Sequence, residues 1–121
     1  MKLNWVTLRV SDLETSLHFY TQLLSLQVAA RFGSPDHQIA MLGSADEAKV
    51  ELIHEPNAQF EHPGEGVSFG LEADDLDLLV GTLREKGYEV RGPIAPTPHI
   101  RFFFVKDPDG YSVQLVSQKT T

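Results

Sequence analysis

An alternating strand that runs into a helix start is written twice in this chain. The first copy is Trp5-Val6-Thr7-Leu8-Arg9-Val10 followed by Asp12-Leu13-Glu14, and the second is Gly66-Val67-Ser68-Phe69-Gly70-Leu71 followed by Asp75-Leu76-Asp77. Val50-Glu51-Leu52-Ile53 is echoed in the same way by Val113-Gln114-Leu115-Val116. Val67 stands 61 residues after Val6, Asp75 stands 63 after Asp12, and Val113 stands 63 after Val50. A near-constant offset predicts two similar half-domains, each with one helix and several strands, enclosing a shared cavity whose lining decides function.

At 121 residues the chain is read as one domain, with module one at 1–54, a linker at 55–65 and module two at 66–121. A net charge of −7 and the absence of any Lys/Arg cluster argue against nucleic acid and anionic membranes as partners, because phosphate neutralisation and polybasic attraction both need clustered cations. No cysteine is present, so disulfides, thiol nucleophiles and thiolate metal sites are excluded. Met1 to Trp5 lacks the apolar run of a signal peptide and no later stretch reaches transmembrane length, so a cytoplasmic location is expected.

Alternation makes Leu3 to Val10 a strand with Val6, Leu8 and Val10 on one face and Trp5, Thr7 and Arg9 on the other. Ser11 to Glu14 reads as a capping box led by the serine, opening a helix with Leu13, Leu17, Tyr20 and Leu24 as its apolar stripe. Strands are predicted at Gln27 to Phe32, Gln38 to Leu42 and Lys49 to His54. In the second half, Val67, Phe69 and Leu71 form a strand face, and Asp74 or Asp75 caps a helix with the stripe Leu76, Leu79, Val80 and Leu83. That helix ends at Lys86-Gly87. Tyr88 to Arg91 is a short strand, Gly92 to Pro98 an irregular loop, and Ile100 to Val105 a strand so apolar that both faces are expected to be covered. Asp107-Pro108-Asp109-Gly110 is a turn before a last strand at Ser112 to Ser117.

Val-x-Leu-x-Val-Ser-Asp-Leu at the start and Phe-x-Val-x-Asp-Pro-Asp-Gly-Tyr-x-Val-Gln-Leu at the end, set in a repeated βαβββ pattern, resemble the vicinal oxygen chelate superfamily over Leu3 to Ser117. That group includes glyoxalase I, extradiol dioxygenases, fosfomycin-modifying enzymes and bleomycin-resistance proteins. The resemblance implies an α+β fold of two tandem βαβββ modules forming a curved mixed sheet around a cavity, and a homodimer. It does not by itself assign a reaction, since one scaffold hosts many chemistries. Metal-using members of the family place ligands at positions that here hold Trp5, Glu51, Gly66 and Gln114. Only Glu51 matches, and one carboxylate with one amide is too few donors for a divalent ion. The expectation is therefore no metal and no cofactor. The five histidines, His18, His37, His54, His62 and His99, show no spacing that aims two imidazoles at one point.

If the alternate apolar residues pack under the helices, the opposite face presents Trp5, Thr7, Arg9, Glu51, Ile53, Ser68, Gly70, Gln114 and Val116. Arg101 and Phe103 join from the neighbouring strand if its parity allows, with His99 at that strand's start. The candidate ligand-binding residues are thus Trp5, Thr7, Arg9, Glu51, Ser68, His99, Arg101, Phe103 and Gln114. Trp5 is either a stacking platform or a plug. Glu51 is either a base or clamp, or an ion-pair partner of Arg9 or Arg101. Arg101 is either a bidentate anion ligand or half of a salt bridge, and the run Phe102 to Phe104 is read as core. The function expected is a small-molecule-binding protein of the bleomycin-resistance kind, sequestering or carrying an aromatic or cationic compound. The alternative is a glyoxalase-like lyase, isomerase or dioxygenase with Glu51 as base or metal ligand.

Overall fold

The computed structural model describes residues 1–59 and 66–118, and the chain divides into two compact units, Met1–Pro63 and Gly64–Thr121. In the first unit, β1 (Trp5–Arg9) leads through α1 (Leu13–Leu17) into a π-helix (His18–Leu23). Then come β2 (Val28–Ser34), β3 (His37–Leu42) and β4 (Lys49–His54). The sheet order is β1-β4-β3-β2, with β1 parallel to β4 and the remaining pairs antiparallel. The second unit repeats this plan with β5 (Ser68–Glu72), α2 (Leu76–Glu85), β6 (Val90–Thr97), β7 (Ile100–Lys106) and β8 (Ser112–Gln118), in the order β5-β8-β7-β6. Each unit is a four-stranded mixed sheet of the α+β class, as the repeat and the resemblance imply. The linker predicted at 55–65 lies partly outside the described residues, as does His62.

Strand alternation places the core of each unit between its sheet and its helix. In the first, Leu8, Ala40, Leu42, Val50 and Leu52 are buried with Leu13, Leu17, Phe19 and Tyr20 from the helical segment. In the second, Phe103, Val105, Val113 and Leu115 are buried with Leu76, Val80 and Leu83 of α2. Trp5, Thr7 and Arg9 fall on the other side of β1.

The helical start differs from the predicted serine box. Asp12, one residue later, is the N-cap and accepts from the Thr15 amide at 3.2 Å, while Glu14 reaches across to Arg31 at 2.8 Å. The stripe differs too. Leu24 is half-buried, whereas Phe19 is fully buried beside Tyr20, their rings 5.0 Å apart edge to face. In the predicted stripe Phe19 lies about 100° round the helix from Tyr20 and away from Leu13. Widening to a π-helix, marked by the Leu24 amide bonding back to the Phe19 carbonyl, shifts the phase, and both rings are buried.

Three expectations in the second half are also corrected. Val67 is 63% exposed and precedes β5 instead of joining its apolar face. Gly92 to Thr97 is not a loop but the bulk of β6, with Pro98 in the turn that follows; β6 is an edge strand whose register shifts between Arg91 and Ile94 and again between Ile94 and Thr97. Prolines are tolerated there because an edge strand with bulges does not need every amide. Gly92 has φ +131, and a Cβ on it would stand 2.9 Å from the Phe103 ring, so no other residue fits without displacement. Strand β7 keeps strict alternation: Phe103 and Val105 are buried, while Phe102 and Phe104 are half-buried on the opposite side with rings 5.6 Å apart.

Two predictions follow from the helical segment. Phe19→Ala is expected to cost about 3–5 kcal/mol and Leu24→Ala clearly less, read by urea unfolding; equal costs would contradict the π-helical phase. The Asp12 carboxyl is held below its ordinary value of 3.8, first by the Thr15 hydroxyl and then by the Thr15 amide. A lowered folded-state value means the cap stabilises above the unfolded value and is lost as pH falls. Asp12→Asn should therefore flatten the acid limb of the stability profile below about pH 4, and an unchanged acid limb would remove this role.

Candidate functional site

Parallel pairing of β1 with β4 sets Trp5 against Lys49, Thr7 against Glu51 and Arg9 against Ile53. Strand β3 adds Met41 beside Glu51 and Ile39 beside Ile53, and β2 adds Phe32 beside Ile39. These residues form the helix-free face of the first sheet. The Thr7 hydroxyl donates to Glu51 Oε1 at 2.7 Å. Arg9 does not pair with Glu51. Its guanidinium lies 3.1 Å from Glu55, whose other oxygen is 3.5 Å from His37 Nδ1. A small recess of about 120 Å³ at this end is lined by Arg9, Val10, Ile53, His54 and Glu55, among others, with His54 Nδ1 3.0 Å from the Val10 carbonyl. Trp5 is 52% exposed.

In the second sheet, Ser68 stands against Ser112 and Gly70 against Gln114, whose amide donates to the Ser68 hydroxyl at 3.0 Å. Phe104 adjoins Gln114 and Phe102 adjoins Val116 on this same face. Gly70 brings the two strands' side chains close, since a Cβ on it would meet Val116 at 3.3 Å.

Arg101 and Phe103 have the opposite parity. Phe103 pairs with Leu115 and is 4% exposed, so it belongs to the core under α2. Arg101 sits with its guanidinium carbon 5.9 Å from the Phe103 ring centre and bonds Asp77 of α2 at 2.9 Å. That hydrogen bond raises its already high pKa. Both residues thus lie on the helix side of β7 and away from the face that carries Ser68 and Gln114. His99 occupies the turn before β7, exposed, its amide bonded to the Thr97 hydroxyl. Phe102 and Phe104, read from sequence as core, are the aromatic residues that β7 adds to the helix-free face. A larger cleft of about 540 Å³ in this unit is lined by Tyr88, Glu89, Arg91, Phe104, Lys106 and Ser112, among others.

The repeat also corrects one carried-over position. Trp5 pairs with Lys49, and Ser68 pairs with Ser112, both partners being 63 residues apart. Ser68, not Gly66, is therefore the strand counterpart of Trp5. The 63-residue spacing of the two helix caps and of the last strands carried this signal; matching Val67 to Val6 obscured it. The corrected positions are Trp5 and Glu51 in the first unit and Ser68 and Gln114 in the second. The first pair offers one carboxylate, with an indole where a donor is needed, and the second offers one hydroxyl and one amide oxygen. Neither pair has the donors a divalent cation requires. Among the described residues, no group of three or more His, Cys, Asp or Glu side chains converges as a metal site, and no helix is long and apolar enough to cross a membrane.

The Thr7–Glu51 bond makes a simple prediction. Thr7→Val is expected to cost about 0.5–1 kcal/mol, and Glu51→Gln less than half of that, because an amide oxygen still accepts. Urea unfolding followed by Trp5 fluorescence reads both, and a larger loss in Glu51→Gln would contradict the assignment.

Comparison with known proteins is consistent with this architecture. A family model described as Glyoxalase/Bleomycin resistance protein/Dioxygenase superfamily matches residues 2–115. A probable lactoylglutathione lyase of Vibrio cholerae is 32% identical over 122 residues, spanning 93% of this chain and 87% of its own length. A lactoylglutathione lyase of Arabidopsis thaliana is 30% identical over 96% of this chain, which spans only 44% of that relative. Among solved structures, Leishmania major glyoxalase I superposes with a TM-score of 0.83 at 24% identity, covering 99% of this chain and 88% of its own. An antibiotic binding protein from Streptomyces sp. CB03234 gives 0.72 at 23%, covering 98% and 97%. At these identities the two structures speak for the fold alone.

Proposed function

The chain belongs to the Glyoxalase/Bleomycin resistance protein/Dioxygenase superfamily, and from that premise we propose that it is a metal-independent small-molecule-binding protein that sequesters or carries an organic ligand. The observation that carries this reading is the helix-free face of the first sheet, where Glu51 is the one carboxylate on the paired strands and stands among Trp5, Thr7, Met41, Ile39 and Ile53, too few donors for a divalent cation. An exposed indole at one end of this face, Met41 beside Glu51, Ile39, Ile53 and Phe32 toward the other end, and a few polar groups suit a flat or apolar guest. In this reading residues 1–54 and 66–121 serve as two modules of one domain. The protein acts in the cytoplasm as a homodimer, needs no cofactor, and takes a small molecule as its partner.

A second reading draws on the relatives, which carry the name lactoylglutathione lyase. Here it takes the form of a metal-independent lyase or isomerase in which Glu51 removes a proton, with Thr7 orienting its carboxylate. Glu51→Gln separates the two, since it abolishes turnover by a proton-abstracting enzyme and leaves a pure binder with nothing to lose in a lyase assay.

Trp5 is the sole tryptophan, so its fluorescence reports on this face directly. Titration of chelator-treated protein with aromatic compounds and antibiotics is expected to give saturable changes in Trp5 emission, with matching stoichiometry in equilibrium dialysis. Absence of binding across the set, together with stoichiometric metal uptake, would overturn the proposal.

A further inference from the structure

We propose, resting on the binding reading above, that Glu51 and Trp5 form a recognition point for a protonated organic amine with an aromatic body. The helix-free face of the first sheet carries three charged side chains, Arg9, Lys49 and Glu51, among the strands that pair there. The two cations are committed elsewhere. Arg9 is ion-paired with Glu55, and the Lys49 ammonium donates to the Glu47 carbonyl. Glu51 has only the Thr7 hydroxyl as its hydrogen-bond donor among the described residues, on Oε1. A carboxylate accepts at about four lone-pair sites, so the Thr7 hydroxyl leaves most of that capacity unused.

The surroundings make a cation the favoured guest. Glu51 lies between Thr7 and Met41 across the strands, with Ile53 two residues on and Ile39 on the adjacent diagonal. Apolar neighbours lower the local polarity and strengthen a charge-assisted hydrogen bond relative to one in water. Trp5, one step along β1 from Thr7 on the same face, presents a half-exposed indole. Indole is the strongest cation-attracting ring among the side chains. The chain's net charge of −7 adds long-range attraction for positive ligands. An N–H-bearing ammonium is favoured over a quaternary one, because Oε2 rewards a donated proton. The aromatic body lies over Trp5, on the side of Glu51 opposite Ile53 and Ile39.

The test uses the full chain and a matched set of naphthalene probes, 2-naphthylmethylammonium, its N-trimethyl form, 2-naphthylmethanol and 2-naphthoate, followed by Trp5 fluorescence and calorimetry. The primary ammonium is expected to bind at least about tenfold tighter than the alcohol, with the trimethyl form intermediate and the carboxylate weakest. Glu51→Gln is expected to bring the ammonium and alcohol within about threefold of one another, with unfolding curves confirming its fold. If the variant does not fold, the order among the four probes on the natural chain decides alone. Equal binding of ammonium and alcohol, or preference for the carboxylate, overturns this inference and leaves the binding reading standing. Failure of every probe and of the wider ligand set overturns both.

Discussion

Parallel pairing between the first and last strands of each unit is the constraint on which the rest depends. It joins residues 44 positions apart, setting Thr7 beside Glu51 and Gly70 beside Gln114. A parallel pair cannot be closed by a tight turn, so the helix and two intervening strands are the crossover that makes it possible. Because side chains alternate with a period of two, a slip of one residue would send Glu51 into the core and Leu52 out of it. The buried set of Leu8, Val50 and Leu52 under α1, and of Val113 and Leu115 under α2, fixes the register against that slip. The polar residues of the helix-free faces thus owe their positions to apolar neighbours one residue away.

Much of this was legible in the chain. The repeat gave the two modules, and alternation in β1, β4 and β8 gave the faces, because one buried side imposes a strict period. What alternation could not show was the parity of a strand in which nearly every residue is apolar. In Ile100 to Val105 the hydrophobic pattern is silent, and a site reading for Arg101 and Phe103 has no period to check it. The hydrogen-bonded register with β8 reverses that. The helical period failed for a different reason: a regular α-helical stripe through Leu13, Leu17, Tyr20 and Leu24 leaves Phe19 off the core face, and the π-helical segment shifts the phase there. Asp12 as cap in place of Ser11, and β6 in place of a proline-rich loop, are choices between local options that composition leaves balanced.

Register also settles the ionic partners within each unit. Arg9 goes to Glu55 and Arg101 to Asp77, so neither arginine neutralises Glu51. This leaves Glu51 as a carboxylate supported by a neutral hydroxyl. Its counterpart in the second unit is Gln114, held by Ser68. One scaffold has therefore produced two related but chemically different faces, one anionic beside an indole and one neutral beside Phe102 and Phe104. Membership of the superfamily carries the fold to this chain; the function rests on the side chains of these faces.

The central claim is that these side chains hold an organic guest and not a catalytic cation. Equilibrium dialysis of the chelator-treated chain against zinc, nickel and manganese, read by elemental analysis beside a Glu51→Gln control, tests it most directly. The account predicts less than a tenth of an equivalent retained by either protein after dialysis, about what sparse oxygen donors can hold. One equivalent bound by the natural chain and lost in Glu51→Gln would contradict it.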